Sequence, residues 1–161
     1  MIHDLEEQLI QKGVSPSHIE RMKIETNELL DQKSEQYELD KKAGQVTELV
    51  PVDRIKALII RGEKGVSWFD HVRFYDDLDN SFTRMKDNFD LFLASDLKSY
   101  YDYFADGRTC TYAFNWENTL QLNHYVDENI YTVKYGNHRA TLAKVTGVPI
   151  IEAKVSKWYK K

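Results

Sequence analysis

The sequence predicts an α+β fold, a small mixed sheet with packed helices and an N-terminal helical arm, and three observations carry that expectation. Short runs with strand character recur at Val46 to Val50, Cys110 to Phe114, Tyr131 to Tyr135 and Ile150 to Val155. Apolar residues at helical spacing occupy residues 1–44 and the stretch around 67–106. Between Tyr131 and Lys157 a strand-like run breaks at Gly136, restarts as a helix, ends at Gly147 and resumes as a strand after Val148-Pro149.

Residues 1–44 read as two helices. Asp4 to Gln11 stops at Lys12-Gly13, and Ser15-Pro16 supplies an N-cap and a first-turn proline for a long charged helix carrying Ile19, Met22, Thr26, Leu29 and Tyr37. Its narrow apolar stripe needs cover, from the chain's own domain, from an antiparallel hairpin or from a second copy, and the irregular repeat favours the first. Gly44 marks a boundary, so the expected organisation is an arm over 1–44 and a domain over 45–161 with a helical insertion around 67–106.

Val46 to Val50 opens the domain as a strand closed by Pro51, and Asp53 starts a helical turn with Ile55, Leu58 and Ile59. Gly62 and Gly65 bracket the loop Arg61 to Gly65, a surface turn or a ligand cover. Asn80 or Ser81 caps a helix bearing Met85, Phe89 and Phe92, and Ser95 caps another bearing Leu97, Tyr100, Tyr101 and Phe104. Trp116 to Asp127 reads as a further helix with Leu120 and Val126 inward and with His124 in a structural or surface role.

The 161 residues suit one domain with a sizeable core, and 42% hydrophobic content is ordinary for a folded chain. No apolar run approaches the roughly 18 residues that span a bilayer, and the acidic start lacks signal-peptide character, so a cytoplasmic, non-membrane protein is expected. A single cysteine, Cys110, excludes an internal disulfide and a multi-cysteine zinc site and reads as a buried thiol. The net charge of −4 argues against broad nucleic-acid binding. Basic residues from Lys134 onward, among them Arg139, Lys144, Lys154 and Lys157, nevertheless predict a bipolar surface. There is no phosphate-binding G-x-x-x-x-G-K-[ST] loop, no G-x-S-x-G elbow and no H-E-x-x-H pair. Asp76, Asp77 and Asp79 form an acidic cluster better explained as a solvated cap than as an ion site.

The turn Gly136-Asn137-His138-Arg139 joins a strand to a helix N-terminus, where free N–H groups and the positive end of the helix dipole favour an anion. Gly136 permits close backbone approach, Asn137 and His138 offer hydrogen bonds, and Arg139 presents a planar cationic fork. The same residues also suit a capped turn in which Arg139 pairs with a surface carboxylate.

Tyr135-Gly136-Asn137-His138-Arg139-Ala140, with Ala143-Lys144 and Gly147 to Ile150, resembles the glycine-x-[His or Arg]-Arg box of the ParB/sulfiredoxin-like superfamily. Glu48 to Ile55 is similar to that superfamily's opening strand and valine-x-x-isoleucine turn. The resemblance implies a pocket for a nucleotide, ATP or CTP with or without Mg2+, whose phosphates lie over Gly136, Asn137, His138 and Arg139. It also implies an acidic base or metal ligand near the first strand, for which Glu63 is the first candidate and Asp53 the second. Where sulfiredoxins carry a reactive cysteine this chain has Asn137, so their redox chemistry is not implied. A nucleotide-binding protein, with phosphoryl transfer or phosphodiester hydrolysis as its reaction if it is an enzyme, is the leading expectation. The alternative is a non-catalytic regulatory module that binds DNA or a protein partner, for instance in a mobile genetic element. Fold alone does not choose between them, and oligomeric state is open.

Overall fold

The computed structural model describes residues 1–28, 33–58, 62–77, 84–105 and 120–161, with the side chains of Lys33 and Ser34 excepted. Helices α1 (Leu5–Gln11), α2 (Pro16–Ile24) and the single turn α3 (Lys33–Gln36) precede strands β1 (Tyr37–Leu39) and β2 (Gln45–Pro51). A 3-10 turn (Val52–Arg54) leads into β3 (Ile55–Leu58), followed by helices α4 (Trp68–Arg73), α5 (Met85–Ala94) and α6 (Leu97–Ala105). The chain ends in β4 (Gln121–Tyr125), β5 (Ile130–Tyr135), α7 (Asn137–Thr146) and β6 (Ile150–Lys160). The α+β class and the mixed sheet are as the sequence predicts.

Among the described residues the sheet runs β1-β6-β4-β5-β3, with β2 also on β6. Lys154 pairs with both Thr47 and Gln121, so β2 and β4 flank opposite edges of β6. Trp158 pairs with Leu39 and Tyr125, which puts β1 beyond β2 on that same outer edge. The β4–β5 hairpin is antiparallel and turns through Asn129 at φ 52, while β4–β6 and β3–β5 are parallel.

One apolar core joins α1 (Leu5, Leu9), α2 (Ile19, Met22), α4 (Trp68, Val72), α5 (Phe89, Phe92) and α6 (Tyr100, Phe104) to α7 and the strands. Residues 1–44 therefore furnish core side chains and an edge strand instead of standing apart as an arm. Lys12 of this segment also donates to the carbonyls of Leu93, at 3.2 Å, and Ser95, satisfying the end of α5. No helix among the described residues is long and apolar enough to cross a membrane.

Several expected elements change. The long charged helix stops at Ile24; Thr26 bridges to Ser67 and Tyr37 enters β1. Ile55 to Leu58 is a strand, because after the 3-10 turn its backbone finds a parallel partner in β5. Gln121 to Tyr125 is strand β4 where a helix was expected: buried Leu122 and Tyr125 stand three apart, compatible with a helix, but β5 and β6 offer ladder partners on both sides. Helix α6 is capped by Asp96, whose carboxylate accepts from Ser99 N at 2.9 Å, whereas the Ser95 hydroxyl donates back to Leu91 O. The expected strand Cys110 to Phe114, residues Ile59 and Arg61, Asp79, and the Asn80 or Ser81 cap lie outside the described residues.

Candidate functional site

The site predicted from the sequence is built where β5 hands over to α7. Gly136 sits at φ 98, ψ 39, a left-handed conformation that a residue with a side chain resists, and no side chain caps the helix there. A Cβ at this position would stand 2.7 Å from Leu120 Cδ1, so packing and backbone both demand glycine. Ala140 N makes the first helical bond, to Gly136 O at 3.0 Å. The N–H groups of Asn137, His138 and Arg139 therefore precede the helical ladder and point out of the helix end.

Arg139 folds back toward this end, as helical side chains do, and its Nη2 lies 3.5 Å from the position that a Gly136 Cβ would take. The structure thus brings Gly136, Asn137, His138 and Arg139 together. Asn137 and His138 are half-buried, and the Asn137 Oδ1 is buried without a hydrogen-bond partner among the described residues. Arg139 itself is 4% exposed, and every residue from Arg139 to Thr146 is buried. Helix α7 is a central helix and not a surface one, which bears on both readings of the turn, because α2, α4 and α5 pack around it.

The two candidate acids have other anchors. Glu63 follows Gly62, whose φ of 84 and tight surroundings admit no Cβ, and its backbone is pinned on both sides. Glu63 N donates to His71 Nε2 at 3.0 Å, and Asn27 Nδ2 donates to Glu63 O at 3.4 Å. Asp53 is exposed in the 3-10 turn, which Val52 N ties to Pro149 O at 3.0 Å, beside the chain leaving α7.

A buried polar centre that the sequence did not disclose lies alongside. Lys144, 2% exposed, places Nζ 2.8 Å from Glu25 Oε2 and donates to Ile55 O at 2.6 Å and Val52 O at 3.4 Å. The ammonium also lies 5.0 Å from the centre of the Trp68 ring. Burial pushes the Lys144 pKa down, and Glu25 offsets this only in part. Burial alone would raise the Glu25 carboxyl, but Lys144 and then Lys56 bring it below its ordinary value. Every polar contact of the ammonium is satisfied, so its chemistry is that of a staple joining α7, α2 and the 3-10 turn. Its only trace in the sequence is a lysine set among Ala140, Leu142, Ala143 and Val145.

His71 is wholly buried; because Nε2 accepts from Glu63 N, the ring proton sits on Nδ1, which donates to Ser67 O at 2.8 Å. Burial lowers its pKa against the opposing pull of the Ser67 carbonyl. His124 stacks on Tyr131 with ring centres 4.0 Å apart, a packing role. Among the described residues no group of three or more His, Cys, Asp or Glu side chains gathers to hold a metal ion.

The basic surface expected beyond Lys134 is reduced by the same burial. Arg139 and Lys144 are interior, and Lys157 pairs with Glu48 at 2.8 Å, leaving Lys134, Lys154, Lys160 and Lys161 exposed. Two cavities formed by described residues, of about 600 and 590 Å3, lie among α1, α2 and α4 and beside β1, away from Gly136 to Arg139. Set against known proteins, the chain matches no family model, no curated protein and no solved structure.

Proposed function

We propose that the protein binds a nucleotide through its phosphates at the N-terminus of α7, in the manner implied by its resemblance to the ParB/sulfiredoxin-like superfamily. The observation that carries this reading is convergence: the Arg139 guanidinium turns back over Gly136 to the same helix end where three N–H groups precede the helical ladder. Donors and a fixed cation on one side fit an anion with several oxygens. Asn137 Oδ1 adds an acceptor, which suits a hydroxyl or amino group elsewhere on the ligand. The order of β2, the 3-10 turn, β3, the β4–β5 hairpin, α7 and β6 gives that end a rigid frame.

The bonds that fix Glu63 and the turn carrying Asp53 are backbone bonds and aim neither carboxylate at the helix end, so the proposal is of binding and names no catalytic group or metal ligand. A DNA-binding reading loses support, because a stripe joining the turn to Lys154, Lys157 and Lys160 is interrupted where Lys157 pairs with Glu48.

Thermal melts with ATP, CTP, GTP and their diphosphates, with and without Mg2+, test the reading. A true ligand at 100 times its Kd adds about 2.7 kcal/mol of stability. Titration of Arg139→Lys, which keeps the charge and loses the fork, should then show weakened affinity, and because Arg139 is buried its melting curve is recorded beside the titration so that lost folding is not read as lost binding. No shift with any nucleotide, or unchanged affinity in the variant, would remove the proposal.

A further inference from the structure

The two edges of the sheet are treated differently. At the β3 edge the preceding chain closes over the strand: Glu28 N donates to Lys56 O at 3.1 Å, and Asn27 Oδ1 accepts from Leu58 N at 2.9 Å. At the other edge β2 pairs with β6 alone among the described residues, and Gln45, Val46, Thr47, Leu49 and Pro51 are exposed. Leu49 is 59% exposed and Ile150, beside Pro51, is 41% exposed.

Chains normally blunt such an edge with lysines, a bulge or a covering element. Strand β2 contains no lysine, its register with β6 is unbroken over seven residues, and its one charge, Glu48, turns inward to Lys157.

The phase of its hydrogen bonds is fixed. Val52 N donates to Pro149 O on the line of the β2–β6 register, and bonded pairs in an antiparallel ladder recur at every second residue. Val50, Glu48 and Val46 therefore face β6, while the N–H and C=O groups of Gln45, Thr47 and Leu49 face outward. Pro51 contributes only a carbonyl there.

We propose that this edge is a homodimer interface, in which β2 of a second copy pairs antiparallel about Thr47. In that register Thr47 meets Thr47 and Gln45 meets Leu49, so each outward N–H of one copy finds an outward C=O of the other. A two-fold axis through Glu48 would instead set two carboxylates opposite each other and bring Pro51 into the ladder without a donor. An axis through Leu49 would pair Thr47 with Pro51. About Thr47 each Glu48 faces Val46 of the second copy and keeps its own Lys157, so no like charges oppose. The strand complements itself, which favours a second copy over an unrelated peptide.

Sedimentation of the full chain and site-directed cross-linking test this. The wild type should sediment as a dimer. Thr47→Pro, which removes an outward donor without touching the β6 ladder, should be monomeric with its melting temperature kept. Should that variant fail to fold, Leu49→Lys gives the same readout. Under mild oxidation Thr47→Cys should form a disulfide dimer, since opposed Cα atoms lie about 5.5 Å apart, inside the bridging range. Gln45→Cys should not, because this register sets the two Gln45 Cα atoms more than about 13 Å apart; both variants carry Cys110→Ser so that the native thiol takes no part. A monomeric wild type at its highest soluble concentration, a dimer indifferent to Thr47→Pro and Leu49→Lys, or equal cross-linking at positions 45 and 47 would overturn the proposal.

Discussion

Lys144 Nζ lies 2.8 Å from Glu25 Oε2 in an ion pair whose lysine side chain is 1% exposed. Around that contact the end of α2, the 3-10 turn and the start of the edge strand β3 are held to one helix. Removing a single partner from such a centre costs more than the contact itself contributes, since the groups left behind stay buried.

Lys144→Met should therefore destabilise the fold by about 3 kcal/mol, because the carbonyls of Ile55 and Val52 lose their donor and the Glu25 carboxylate is left with Lys56 alone, 3.6 Å away. Chemical denaturation measures this. A loss below about 0.5 kcal/mol would show that water replaces the ammonium at little cost.

Gly136→Ala should cost about 1 to 3 kcal/mol, from the positive φ and from the 2.7 Å approach to Leu120. Gly65→Ala is the matched comparison: it shares a positive φ, of 80, but has nothing within 4 Å of its Cβ position. Melting curves should place the Gly136 variant clearly below the Gly65 variant; equal losses would mean that Leu120 yields.

Stability should fall as pH drops below about 6.5. His71 and His18 both have folded-state pKa values below the ordinary 6.5, in each case first because burial disfavours the charged ring. Between the lowered value and 6.5 the unfolded chain binds more protons than the folded one, so stability rises with pH in that window and is flat above it. For His71 the geometry says why: a second ring proton would face Glu63 N–H, a donor. Denaturation midpoints at pH 7.5 and 5.5 should differ in the wild type and differ less in His71→Gln. Equal slopes in the two would show that His71 does not report on this range.

A chain beginning at Gln45 should not fold cooperatively. It would lack Leu5, Leu9, Ile19 and Met22 from the core, Glu25 from beneath Lys144, and Asn27 from beside Leu58 and Glu63. Circular dichroism during heating decides the point, and a sharp transition in the truncated chain would restore residues 1–44 to the status of a separable arm.

The succession β5, Gly136, α7, Gly147, β6 was legible in the sequence because each boundary there is a local event. A left-handed glycine, a proline that forbids helix and a change of apolar period act within a few residues of themselves; Gly147 takes the positive φ expected of a helix end, and Gly136 takes one too. Legibility failed where local signals were degenerate. Leu122 and Tyr125, and likewise Ile55 and Leu58, stand three apart, a spacing that serves one face of a helix as well as a strand buried on both faces. Ladder partners made them strands: the adjacent β5 and the distant, parallel β6 for β4, and the distant, parallel β5 for β3. The same holds for charge. Apart from its apolar neighbours Ala140, Leu142, Ala143 and Val145, Lys144 reads like the solvated lysines of the run from Lys134 to Lys161, because its fate depends on Glu25, Val52 and Ile55 arriving from other elements. The sequence by itself determined where the chain turns and which short segments are regular, since backbone sterics and capping are short-range. Which charges are buried, which helix is central and which sheet edge stays open were decided by tertiary structure, since burial and pairing depend on segments brought together only when the chain closes on itself.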